Sequence, residues 1–234
     1  MKTILTALLI IHIAAGITAL LVGLVPMFSQ KGNGLHRRTG LIYVWCMIIV
    51  ALTAILLCGL QPFRMFRLFL AGIAVFSFYL CMTGWRATKQ KEGLYARFDK
   101  GLAYVTLLTG GAMIAFGICL MLLNGLRFMP VVFTFFGVLT SRFALEDVRK
   151  LGRPAEKQHW FFLHFIRMGG SYIATFTAAV VTNIGRFAPA NAPEWFSTVF
   201  WIAPSLLGGL LIGFTVRRYK RRFASKNRAA AAGA

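Results

Sequence analysis

The chain has four histidines, and three of them, His12, His36 and His164, fall in or against long apolar runs. An ionisable side chain at membrane depth is costly and is usually turned toward the protein interior, so these positions are the first candidates for chemistry. His36 is followed by Arg37 and Arg38, and His164 is followed one turn later by Arg167. Imidazoles from membrane helices can supply the axial ligands of a b-type haem, with arginines pairing the propionates. On that reading His12, His36 and His164 are candidate ligands, and Arg37, Arg38 and Arg167 are candidate propionate partners. A membrane redox protein holding haem or a quinone is the preferred function. A second reading takes His36, His164 and Asp147 as three N/O ligands of a catalytic zinc, with Ser171 nearby and a metal-bound water as nucleophile toward a membrane substrate. A third is a small-solute or proton transporter in which the mid-membrane His12 is a relay. Against any chemistry at His36 stands its reading as an interfacial residue bonding headgroups or loop carbonyls.

The elements that must position these groups are membrane helices. Of 234 residues, 58% are hydrophobic and 14% charged, where charged residues make up roughly a quarter of a soluble domain. The apolar residues gather into blocks near 3–26, 39–60, 66–84, 101–123, 127–143, 159–182 and 196–216, each close to the roughly 20 residues a helix needs to span a bilayer. The fold class is therefore an all-α, polytopic bundle of about seven transmembrane helices over residues 1–216. A basic tail, 217–234, follows and is expected to be disordered at its end. The block at 127–143, which begins at Met129-Pro130, is the shortest. The first block exceeds the roughly 7–15 apolar residues of a signal peptide and is read as a helix.

Helical spacing sorts the polar residues into faces. His164, Arg167, Ser171 and Thr175 recur at i, i+3, i+7 and i+11 and make one polar stripe that should face inward. His12, Gly16, Ala19 and Gly23 give the first helix a face of small residues, which permits close helix approach. His36, Gly40, Tyr43 and Met47 form the matching face of the second. These faces are expected to converge on a cavity open to the cytoplasm, with Glu146 and Asp147 near its mouth. His159 and His164 are five apart, about 140° around a helix, so they do not form the one-face pair of a His-x-x-x-His zinc motif.

The runs His12-Ile13-Ala14-Ala15-Gly16, Lys31-Gly32, His36-Arg37-Arg38-Thr39-Gly40, Glu146-Asp147-Val148-Arg149-Lys150-Leu151 and His164-Phe165-Ile166-Arg167-Met168-Gly169-Gly170-Ser171 resemble the bacterial membrane-protein family called domain of unknown function 2306. The likeness extends over about residues 8–185. It implies a bacterial membrane protein with these polar positions and carries no activity with it.

Charge then orients the bundle. The first, third and fifth loops and the tail hold twenty basic residues, against five on the other side: Lys2, Arg64, Arg67, Arg127 and Arg186. The positive-inside rule puts the N-terminus outside and the C-terminus in the cytoplasm, in a bacterial inner membrane. The net charge of +20 is explained by topology and by anionic lipid headgroups, so nucleic acid is not an expected partner. Cys46, Cys58, Cys81 and Cys119 lack ligand spacing and read as packing residues. Gly-Leu-Ile-Tyr-Val at 40–44 and Gly-Leu-Ala-Tyr-Val at 101–105 hint at a duplicated hairpin. No phosphate loop or dinucleotide fingerprint occurs.

Overall fold

The computed structural model describes residues 1–232 except 92–95, 152–157, 187 and 190, with side chains as far as Ser225. Arg153 and Lys157 of the basic fifth loop lie outside the described residues, as do the side chains of Lys226 and Arg228 in the tail. Seven long helices follow in order: α1 (Lys2–Phe28), α2 (Gly34–Leu60), α3 (Met65–Ala87), α4 (Arg97–Asn124), α5 (Phe128–Lys150), α6 (His159–Thr182) and α7 (Glu194–Ala232), with a 3-10 turn at Ile184–Arg186. No strand occurs among the described residues.

The bundle is inside out relative to a soluble protein. Ile10, Ile17, Leu21, Leu108, Leu122, Leu210 and Phe214 are exposed, while Asp99, Arg167, Thr106, Thr140 and Ser171 are buried. A large exposed apolar surface, with polar and charged side chains kept inside among the apolar core, fits lipid as solvent. Six helices, α1 to α5 and α7, are long and apolar enough to cross a bilayer. Six of the seven expected spans meet both criteria. α6 is long enough, at 24 residues, but its polar stripe keeps it short of the apolar character of the others.

Successive helices run antiparallel. His12 meets Thr53 and His36 meets Pro26 across α1 and α2, and His164 meets Gly84 across α6 and α3. The loops after α1, α3 and α5 and the end of α7 therefore share one end, called here the basic end. α3 is the central element and packs on α2, α4, α5 and α6. At the opposite end Phe69, Phe133, Phe136 and Trp201 close the core through edge-to-face rings, with Phe69 and Trp201 centroids 4.9 Å apart. α1 lies along α2, whereas α4 lies along α5 and only touches α3, so the two hairpins with similar sequences do not pack alike.

Helix ends differ from the apolar blocks because backbone hydrogen bonding continues past the last apolar residue. α5 runs on through Glu146 and Asp147 to Lys150, well beyond the block ending at 143. α7 continues through the basic run to Ala232, so that run extends the last helix. On α1, Ala19 is fully buried and Gly23 admits the rings of Tyr43 and Tyr172, each 2.8 Å from where a Cβ would stand. Gly16 of the same expected face meets open space.

Candidate functional site

A helix leaves its last four carbonyls without backbone donors, and those carbonyls carry the negative end of the macrodipole. Two such ends, of α1 and α3, meet at the basic end, and each is capped by a histidine from another helix. The α2 N-terminus is fixed first: Gly32, at φ +83°, turns the chain, and Asn33 Oδ1 accepts from the His36 amide at 2.8 Å. The His36 ring then reaches back, its Nδ1 3.1 Å from Pro26 O. Lys31 Nζ donates to Pro26 O at 2.8 Å and Met27 O at 2.9 Å, and partial burial lowers its pKa. His164 Nδ1 lies 2.9 Å from Gly84 O in the last turn of α3.

A carbonyl can only accept, so Nδ1 is the donor in both rings. A neutral imidazole held in that way presents Nε2 as a lone pair, the arrangement found behind most metal-bound histidines. The ring centroids of His36 and His164 are 6.2 Å apart, with planes at 65°.

One turn deeper, the Arg167 guanidinium is 1% exposed. Its Nη2 donates to Asp147 Oδ1 at 2.7 Å and to Phe143 O at 3.2 Å, and it lies over the rings of Tyr79 and Phe143. Tyr79 donates its hydroxyl to the other carboxylate oxygen of Asp147. Nη1 of Arg167 is buried without a partner. This triad joins α3, α5 and α6. A further turn along α6, Ser171 Oγ and Thr175 Oγ1 lie 2.8 and 3.1 Å from the Tyr43 hydroxyl. The polar stripe thus runs from His164 to Thr175, about 16 Å of helix, and beyond it the core is the aromatic cluster around Phe69 and Trp201.

Of the residues picked out from the sequence, His36 and His164 come together, with Arg167 and Asp147 beneath them. His12 does not join them: its Nδ1 bonds Thr53 Oγ1 at 2.8 Å, and Thr53 lies about 26 Å beyond His36 along α2 at 1.5 Å per residue. Arg37 and Arg38 are exposed beside His36. Glu146 pairs with Lys150 on the outer face. Asp147 is engaged by Arg167 and Tyr79, and among the described residues no group of three or more His, Cys, Asp or Glu side chains is arranged to hold a metal. The four cysteines are free thiols.

Sequence reasoning missed the contribution of α3. Tyr79 and Gly84 sit in an apolar run whose period does not reveal which residues face an arginine. It also missed the buried carboxylate of Asp99, held by Arg86 through Nε at 2.5 Å and Nη2 at 2.9 Å. The available signal was scarcity, since the chain has only six acidic residues. No protein-family model matches the chain, and no match was found among curated proteins or solved structures.

Proposed function

We propose that the protein is a multi-pass membrane redox protein in which His36 and His164 would hold a b-type haem. The observation that carries this reading is the separation of the two rings. The centroids are 6.2 Å apart with planes at 65°, close enough for the two imidazoles to share one metal centre between them.

Near the rings the Lys31 ammonium, bound to the Pro26 and Met27 carbonyls, offsets part of the negative helix ends. Two helix C-termini point there, and backbone carbonyls hold both imidazoles in the tautomer that leaves Nε2 available. Arg37 and Arg38, exposed one and two residues after His36, would be the propionate partners. Arg167 is neutralised by Asp147 and fixes α6, and with it His164, against α3 and α5. Bound iron would supply one-electron transfer; the chain supplies the ligands, their orientation and a core closed at the opposite end. That closure argues against a continuous solute pathway, because the stripe stops at Thr175. We further propose that α6 is the seventh span and that the basic end faces the cytoplasm.

The test is an oxidised and dithionite-reduced optical spectrum of detergent-purified protein from haem-replete cells, with elemental analysis for iron and zinc. We expect a sharp reduced α-band with stoichiometric iron, lost in both His36→Ala and His164→Ala and kept in His12→Ala. No band and no iron would overturn the proposal.

A further inference from the structure

The end of α7 carries a second site, independent of the histidine pair. At 100° per residue, Arg217, Arg221, Arg218 and Arg222 occupy one arc about 140° wide, and Tyr219, Phe223 and Lys220 occupy the opposite arc. The second arc is pinned to the start of α6. Tyr219 and Phe223 meet the Phe161 ring at centroid distances of 5.6 and 5.8 Å, and Lys220 lies over Phe162 at 5.5 Å. The four arginines are therefore held outward on a braced helix, where with Phe214 they line a cleft of about 400 Å³. All four are exposed, and among the described residues no ion pair neutralises them.

What lies below the arginines identifies the occupant. Leu207, Leu210, Leu211 and Phe214 on the preceding turns are 59–67% exposed, and they continue the same arc. An apolar stripe running directly into a fixed four-arginine face matches a molecule with acyl chains on one side and phosphate on the other. Guanidinium groups bind phosphate oxygens bidentately, and basic pockets beside membrane helices suit anionic headgroups. A free phosphate would use the arginines but not the stripe.

We propose that this face of α7 is a binding site for an anionic glycerophospholipid, its phosphate on Arg217, Arg218, Arg221 and Arg222 and its acyl chains along Leu207, Leu211 and Phe214. Four arginines exceed the charge of one phosphodiester, so a lipid with two phosphates binds more tightly than one with a single phosphate, and a zwitterionic lipid binds least.

The experiment uses the purified full chain in a neutral detergent. Native mass spectrometry counts retained lipid, and thermal unfolding is followed against added diphosphatidylglycerol, phosphatidylglycerol, phosphatidylcholine or inorganic phosphate. The expected order of stabilisation is the order given, with phosphate alone inactive. Arg217→Gln/Arg218→Gln/Arg221→Gln/Arg222→Gln should raise the half-saturating concentration of diphosphatidylglycerol by about 100-fold. Lys89→Gln/Lys100→Gln/Arg142→Gln/Arg149→Gln removes equal charge from exposed positions at the same end and should leave it within about threefold. Equal losses in the two variants would mean diffuse attraction, and stabilisation by inorganic phosphate would mean a simple anion site; either overturns the proposal. Undiminished lipid binding by the arginine variant overturns it as well.

Discussion

Removing the Asp147 carboxylate tests how the α3–α5–α6 junction is held. In Asp147→Ala the guanidinium of Arg167 stays 1% exposed, keeps the Phe143 carbonyl and the two rings, and loses the carboxylate it is paired with. Stranding a buried charge costs about 3–5 kcal/mol, more than the pair contributes over an apolar replacement. Arg167→Met leaves a carboxylate that is 10% exposed and still accepts from Tyr79, so it should cost less, about 2–3 kcal/mol. With both changes no charge remains buried there. The double variant should then be more stable than Asp147→Ala alone, with a coupling of about 2 kcal/mol or more. Unfolding by dodecyl sulfate titration in mixed micelles, across wild type, both single variants and the double, measures this cycle. Additive single effects, or an Asp147→Ala cost under about 1 kcal/mol, would refute the argument, because Arg167 would then have another source of compensation.

Two further outcomes follow from the packing. Gly84→Ala places a Cβ 2.9 Å from Arg167 Cβ and 3.0 Å from the Met168 amide nitrogen. Backbone cannot yield as a flexible side chain can, so α6 must move off α3 at a cost of about 1–3 kcal/mol. The same titration reads that loss, and in the spectrum the reduced band should weaken or shift as His164 is displaced from Gly84 O; an unchanged protein would show that α6 yields freely. His12→Ala removes one hydrogen bond between α1 and α2 and should cost about 1 kcal/mol in the titration, so a loss of several kcal/mol would show that His12 does more than join the two helices.

The class of molecule was legible from composition, since long apolar blocks interrupted by basic loops have few solutions other than membrane helices. The inward face of α6 was legible too: His164, Arg167, Ser171 and Thr175 are polar at helical spacing within an apolar run, and all four find partners inside the bundle. Periodicity ranks the residues of one helix by direction, but it says nothing about which helix lies opposite. That Asp147 meets Arg167, that Tyr79 completes the pair, and that His36 meets His164 while His12 meets Thr53 were decided only by packing. The sequence by itself determined which side chains must leave lipid, because a polar group in hydrocarbon has nowhere else to bond. Tertiary structure alone chose their partners, because those contacts join residues as far apart in the chain as Tyr43 and Ser171, whose meeting depends on how whole helices pack around α3.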